Sequence, residues 1–250
     1  MKLFILAAGV GSRLFPMTKN TPKSLLDLGD GTTLLERQIE NAIHSKYIDE
    51  VIIITGYKTE QIEAKVKDLG KQIKITIVYN PFYDVSNNLI SLWCAHHLMN
   101  EDFIITNGDN IYKDTVYDTI ITEALKKANT IQITLDYKEH YDDDDMKITF
   151  DENGYISRIH KDIPTENAKA ESVGLVIVKG SKSQRIFVDQ LLSLIKDKEY
   201  INKFWLEIFN ALIQNHITID HVEIDKDDWR EMDFHPDMEI IKQEMLKKLI

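Results

Sequence analysis

Residues 3–25 read LFILAAGVGSRLFPMTKNTPKSL, and the order of residue types in this stretch decides the fold. Leu3, Phe4, Ile5 and Leu6 form an apolar run that suits a buried parallel strand. The run breaks into Ala7, Ala8, Gly9, Val10, Gly11, Ser12 and Arg13, a tight loop of small residues. Two glycines let backbone N–H groups turn inward and approach an anion closely, because no Cβ intervenes and positive φ costs glycine little. Arg13 and Lys23 add cationic side chains, and Pro16 and Pro22 stiffen the path between them. A strand that empties into such a loop is suited to cradle a polyphosphate.

The pattern LAAGxGSRLxPxTxxxPKxLL, spread over residues 6–26, resembles the signature of the nucleotidylyltransferase superfamily. The resemblance implies an enzyme that joins a nucleoside triphosphate to a phosphorylated acceptor and releases pyrophosphate. It further implies that Leu6, Ala7, Ala8, Gly9, Gly11, Ser12 and Arg13 bind the nucleotide. Two other phosphate motifs are disfavoured on the same residues. A P-loop needs GxxxxGK[ST], which the spacing of Gly9, Gly11 and Lys23 does not supply. A dinucleotide fingerprint needs a third glycine where Leu14 stands and an acidic residue where the second strand runs into Thr55, Gly56 and Tyr57.

The chain has 250 residues, 43% of them hydrophobic, enough to bury a large core as one α/β domain. It contains no stretch of about 18 apolar residues, which argues against membrane insertion, and the early phosphate loop is unlike a signal peptide. A cytoplasmic location is expected. Cys94, the only cysteine, excludes an internal disulfide and is expected in the core. A formal net charge of −11 argues against a nucleic-acid partner, which needs basic surface. A free nucleotide differs, since a few local cations and a metal can hold it.

Hydrophobic periodicity predicts helices over residues 34–44, 61–69, 116–127, 182–196, 203–216 and 238–249, with another starting near residue 87. Strands are predicted over residues 3–6, 50–55, 73–79, 102–106, 130–136 and 218–223. The alternation predicts a parallel, doubly wound sheet with ligands outside the carboxyl ends of its strands. Between them the pattern changes to short strands over 146–150 and 155–159, joined by the hairpin signal DENG, and a strand over 172–178. Asp84 or Ser86 is expected to cap the helix near residue 87, and His96 and His97, without ligand spacing, are read as structural. Asp237 is expected as a first-turn carboxylate or cap of the closing helix.

Several segments resemble one branch of the superfamily, the cytidylyltransferases that act on phosphocholine and related acceptors. NPFYDVSNNLISL over 80–92 resembles its NxxYxxxNNxxSL element, which implies nucleotide contact by Asn87 and Asn88 and acceptor contact by Tyr83 and Ser91. The resemblance places Gly56 and Tyr57 near the nucleotide base. DYKEHYDDDDMKITFDENGYISRIHKDI over 136–163 resembles the D…DxDMKV…GxIxxISKxL pattern, implying acceptor contacts by Asp145, Lys147 and Lys161, and ESVGL extends it to Glu171. Trp205 is an acceptor-wall candidate, although a core position suits it as well. Asp109, after a strand and a glycine, matches the superfamily's first metal ligand, and Asp233, in a segment like WxEVDxPxDLE, matches the second. A hard cation such as Mg²⁺ suits two such carboxylates.

The resemblance implies a Rossmann-like, doubly wound mixed α/β sheet of the nucleotidylyltransferase (GT-A-like) type with a small β-rich excursion. Residues 1–250 are then one domain: about 1–136 the nucleotide-binding core, 137–235 the acceptor-binding part with the second metal ligand, and 236–250 the C-terminal helix. It implies CTP and a small phosphorylated acceptor as partners, Lys23 and Arg13 as catalytic residues, and a CDP- or CMP-activated product for decorating cell-surface polymer or lipid. Tyr83, Tyr137, Trp205 and Trp229 could cage a quaternary ammonium, which would favour phosphocholine. Aminoethyl phosphate or phosphonate, inositol phosphate, a phosphorylated amino acid, and a sugar 1-phosphate with UTP, dTTP or GTP stay open, as does the oligomeric state, a homodimer included. A catalytically silent nucleotide-binding module predicts loss of Arg13, Lys23, Asp109 or Asp233, and all four are present.

Overall fold

The computed structural model describes residues 1–247 and 249–250. Lys2–Ala7 forms β1, Glu50–Thr55 β2, Lys74–Tyr79 β3 and Phe103–Asn107 β4. These four run parallel in the order β4-β1-β2-β3. All six residues of both β1 and β2 are buried, as strands covered on both faces require. One face sends Phe4, Leu6, Ile52, Ile54 and Ile105 into one core cluster, and the other sends Leu3, Ile5, Val51, Ile53 and Ile104 into a second. That alternation is the two-residue strand period expressed as two cores.

Helices α1 (Leu34–His44), α2 (Thr59–Val66) and α3 (Asn88–Cys94) connect these strands. Thr33 caps α1 by accepting the Glu36 N–H, while Glu36 Oε2 accepts the Thr33 N–H at 2.9 Å. Helix α3 is capped by Asn87, whose side chain accepts the Asn88 N–H at 2.8 Å. Asp84 and Ser86 are therefore not its caps; the Ser86 hydroxyl donates to the Phe82 carbonyl instead. Cys94, at the end of α3, is half-buried, outside the core that its apolar neighbours predict.

After β4 come β5 (Asn110–Tyr112), α4 (Val116–Lys126), β6 (Ile131–Asp136), β7 (Lys147–Phe150), β8 (Ile156–His160) and β9 (Ala170–Val178). Helix α5 (Ser181–Leu194), α6 (Glu207–Gln214), β10 (Asp220–Glu223), β11 (Trp229–Glu231) and α7 (His235–Leu246) complete the chain. The large sheet has the order β10-β6-β9-β4-β1-β2-β3, and β9 runs antiparallel to both β4 and β6. The sheet is thus mixed, as the family resemblance implies, and not wholly parallel as the strand–helix alternation alone suggests. Strands β7 and β8 form the expected hairpin, hung from the edge of β9.

The helix expected over 203–216 is shorter, and the one expected over 238–249 starts at His235 and ends at Leu246; residue 248 lies outside the described residues. Leu14, Leu26, Leu34, Ile111, Met232, Met238 and Ile241 form a third core cluster that seats α7 against the phosphate loop. Among the described residues, no helix is long and apolar enough to cross a membrane.

Candidate active site

The loop after β1 takes its shape from Gly11, at φ +70, where a Cβ would stand 2.8 Å from Lys23 Cβ. A side chain here would be strained and would push Lys23 aside. Thr18 Oγ1 donates to the Gly11 carbonyl at 2.8 Å, and fully buried Leu14 anchors the far end of the loop. Lys23 can then cross the loop toward the ends of β4 and β11.

At the end of β4 a tight turn carries Asp109. Gly108 passes so close to β1 that a Cβ would lie 2.3 Å from the Leu6 carbonyl oxygen, to which its N–H donates at 3.0 Å. Buried Gln38, from α1, holds the turn from behind by donating to the carbonyls of Asn110 at 2.5 Å and Asn107 at 3.0 Å. Strands β5 and β11 then pair antiparallel, with Glu231 opposite Asn110, and the Met232 N–H donates to the Asp109 carbonyl at 2.9 Å. Asp237 Oδ2 accepts the N–H groups of Asp233 at 3.0 Å and Phe234 at 2.6 Å, which fixes the backbone that presents Asp233.

Carboxylate oxygens of Asp109, Glu231 and Asp233 thereby lie within 4.8 Å of one another. Lys23 Nζ donates to Asp109 Oδ2 at 2.9 Å and to Asp233 Oδ1 at 3.0 Å, and Arg13 pairs with Asp233 Oδ2 while lying over the Phe234 ring. Burial alone would push the Lys23 ammonium down, but Asp109 and Asp233 hold it above its ordinary value. Burial likewise opposes ionisation of Asp233, and Lys23 and Arg13 overcome it, so its carboxyl is held below the usual range. Glu231 lines the cleft and is exposed to it. Withdrawal from bulk water, followed by the charges of Asp109 and Asp233, pushes it up to about 8. Asp109 Oδ1 is buried and accepts no hydrogen bond among the described residues.

A cavity of about 350 Å³ extends from this point. Of the residues expected to bind the nucleotide, Leu6, Ala8, Gly9, Arg13, Asn87 and Asn88 line it. Tyr83, Ser91, Asp145, Lys161, Glu171 and Trp205 also line it, together with Asp109 and Asp233. An adjoining hollow of about 160 Å³ holds Gly11, Ser12 and Lys23, and shares Arg13 and Asp233 with the main cavity.

Four expected contacts are placed elsewhere, each for a visible reason. Ala7 is the buried last residue of β1. Gly56 lies under the cavity wall, where a Cβ would stand 2.4 Å from Tyr83 Cβ, and the Tyr57 N–H and hydroxyl donate to the carbonyls of Ala8 at 3.1 Å and Lys19 at 2.5 Å. Those two residues brace the loop from outside. Lys147 is fully buried and donates to the carbonyls of Asp142 at 2.9 Å and Asp143 at 3.0 Å, so it folds the acidic loop and is not on the cavity wall. Trp205 is almost wholly buried, and its indole N–H donates to Asn107 Oδ1 at 3.0 Å. Asn88 Oδ1 accepts the Trp205 N–H at 2.8 Å, so the asparagine pair also ties α3 to the segment before α6.

Sequence reasoning passed over Glu231 as the third convergent carboxylate, Lys138 as the partner of Glu171, and Asn107 and Gln38 as supports. Glu231 was findable, since it stands only two residues before Asp233 and so reaches the same place in the fold. Gln38 was not, because nothing in an amphipathic helix shows which buried polar position meets a distant turn.

The nucleotidyl transferase family model matches residues 2–161. A CTP:phosphoglutamine cytidylyltransferase of Campylobacter jejuni is 26% identical over 96% of this chain and 98% of its own length. A choline-phosphate cytidylyltransferase of Streptococcus pneumoniae is 37% identical, but over 46% of this chain and 47% of its own. The solved structure of a CTP:phosphocholine cytidylyltransferase from Streptococcus pneumoniae shares the fold, with a TM-score of 0.77 at 22% identity over 98% of both chains.

Proposed function

The chain belongs to the nucleotidyl transferase family and is a nucleotidyltransferase, and from that premise we propose that it transfers CMP from CTP to a small phosphorylated or phosphonate acceptor, releasing pyrophosphate. The carrying observation is that two cations from the first loop, Arg13 and Lys23, meet two carboxylates from the far parts of the chain, Asp109 and Asp233, around one point. The choice of CTP is supported by the Campylobacter jejuni relative, which matches along almost its whole length. A phosphocholine-like or aminoalkyl phosphate or phosphonate is the acceptor class in view, and the cytoplasm the compartment.

The residues fit Mg²⁺. All three convergent side chains are carboxylates, the hard oxygen donors this ion takes, and the orphaned Asp109 Oδ1 is short of a partner. Asp109 and Asp233 would hold the ion, with Glu231 beside them. Bound there it would offset charge on the nucleotide phosphates as pyrophosphate departs.

The chain's own residues do the rest. The acceptor phosphate is largely a dianion at neutral pH, since its second pKa is about 6, and so needs no general base. Its oxygen attacks the α-phosphorus, an O–P bond forms, the bond to the β-phosphate bridge breaks, and its electron pair leaves with pyrophosphate. Arg13 binds the β- and γ-phosphates. Lys23 leaves its carboxylates to bind the α-phosphate together with the incoming oxygen, where preorganised charge acts most on the transition state.

A pyrophosphate-release screen of nucleoside triphosphates against phosphocholine, aminoethyl phosphate, inositol phosphate, phosphorylated amino acids and sugar 1-phosphates tests the reading. Turnover with CTP and an acceptor of this class is the expected result; no turnover with CTP across the panel sinks it.

A further inference from the structure

Aromatic side chains around the cavity are mostly explained by packing. Trp205 and Trp229 are buried, with their indole N–H groups donated to Asn107 and Asp136, and Tyr137 is not on the cavity wall, so among the described residues the four expected aromatics form no ammonium cage. Phe234 differs. It is 43% exposed, belongs to none of the three core clusters, and lines neither the main cavity nor the adjoining hollow. Its backbone is nonetheless fixed: it stands directly after Asp233 at the start of α7, and its N–H donates to Asp237 Oδ2 at 2.6 Å. A ring left nearly half in water gains only part of its burial energy, and the contact it does make is with a charge.

That charge is Arg13, whose guanidinium carbon lies over the Phe234 ring, 5.2 Å from its centroid. Asp233 is the other partner of Arg13 and, among the described residues, the only one to which it donates a hydrogen bond. The two contacts differ in what loading the site would do to them. Asp233 is one of the two carboxylates assigned to the metal, so its bond to Arg13 is the one that an arriving ion would take away. Arg13 would then be a long side chain, 46% exposed, and ordering it over phosphates costs rotamer freedom. A ring face competes for neither metal nor phosphate. It attracts the cation through its quadrupole and takes up none of the guanidinium N–H groups.

Resting on the reading above in which Arg13 binds the β- and γ-phosphates, we propose that Phe234 is a positioning residue: its ring keeps the Arg13 guanidinium in place once Asp233 has turned to the metal, and so raises the affinity for the two phosphates that leave together. Arg13 lines both the cavity and the adjoining hollow, whereas the ring lies outside both and acts on the phosphates only through it.

The test is calorimetric titration of CTP, pyrophosphate and CMP, with Mg²⁺ and without acceptor. Pyrophosphate carries the pair of phosphates assigned to Arg13 without a base, and CMP carries the base and the α-phosphate without that pair. A cation–π contact at an exposed site is worth about 0.5–1 kcal/mol, so Phe234→Leu, which keeps an apolar side chain and loses the ring face, should weaken CTP and pyrophosphate by about two- to fivefold and leave CMP unchanged. Phe234→Trp, with the strongest ring face, should bind both at least as tightly as wild type, and Phe234→Leu should have no further effect in an Arg13→Met background. A loss shared by CMP, or one that persists without Arg13, overturns the inference, because a residue that merely supports the backbone of Asp233 would give it. Undiminished binding in Phe234→Leu overturns it too, as does an equal loss in Phe234→Trp. The expected pattern with pyrophosphate but no binding of CTP leaves the inference standing and overturns the cytidylyl reading; binding of neither overturns both, and binding of CTP alone leaves the contrast with CMP to decide.

Discussion

Replacing Lys23 by methionine keeps the length of the side chain and removes its charge, and two opposite effects should follow. Lys23 Nζ stands 2.9 Å from one carboxylate of the proposed metal site and 3.0 Å from the other. At an effective dielectric of about 20, a charge at about 3 Å interacts with each carboxylate by roughly 5 kcal/mol before hydration is subtracted. Its side chain is 14% exposed, so water recovers part of this and the net is far smaller. A residual of only about 1.4 kcal/mol still corresponds to tenfold in affinity. Mn²⁺ binding to the nucleotide-free protein, read by electron paramagnetic resonance, should therefore tighten about tenfold in Lys23→Met. Turnover should fall by about a hundredfold or more, the usual loss for one preorganised donor to a transition state. A loss of turnover with unchanged Mn²⁺ affinity would show that the ammonium does not compete for these carboxylates. Near-normal turnover with tight nucleotide binding would refute its transition-state role outright.

Three other outcomes follow from single contacts. Asp109→Asn should weaken Mn²⁺ binding and lower turnover by about a hundredfold, with the far-ultraviolet circular dichroism spectrum unchanged. Asp237→Ala removes the acceptor for the Asp233 and Phe234 N–H groups and should cost about 1 kcal/mol in urea unfolding, with a rise in KM for the metal–nucleotide complex. Asp220, opposed by burial but bonded by the His221 N–H, Lys127 and Asn129, has its carboxyl held below the usual value. Its stabilisation is then complete above the ordinary carboxylate value of about 3.9 and is lost as pH falls through the lowered one. Asp220→Asn should accordingly be less stable than wild type at pH 7, and the gap should close in strong acid.

The reach of sequence reasoning followed the range of the interactions. Helix α1 and strand β2 have the bounds that periodicity gives, because a capping box and an unbroken apolar run are local signals. The antiparallel insertion of β9 has no such signal: its residues are buried along their whole length in either direction, and only the neighbours it meets decide its sense. The same division runs through the site. Arg13, Lys23, Asp109 and Asp233 could be placed by motif, but Lys147 and Tyr57 turn to structural work because nearby backbone carbonyls compete for their donors at hydrogen-bonding distance. Strands β5 and β11, three residues each, are too short for a two-residue period to be read, yet their register brings Glu231 and Asp233 to Asp109.

That register also resolves how a chain of net charge −11 can receive a polyphosphate. Long-range attraction is unavailable, since the summed field of so acidic a protein repels an anion and salt screens it beyond about 8–10 Å. What remains is local exchange. In the free protein, Lys23 and Arg13 are occupied by Asp109 and Asp233, so the cations wait in place with their carboxylates as counter-ions. On the proposed reading, a nucleotide arriving with a divalent ion would offer each partner a better match: phosphate oxygens for the two cations, the ion for the carboxylates and for the orphaned Asp109 Oδ1. Each half of that exchange would be weaker alone, because a bare nucleotide leaves the carboxylates unpaired and a bare ion must displace Lys23. The arrangement therefore favours entry of metal and nucleotide together, and the position of Lys23 between the two carboxylates is what couples them.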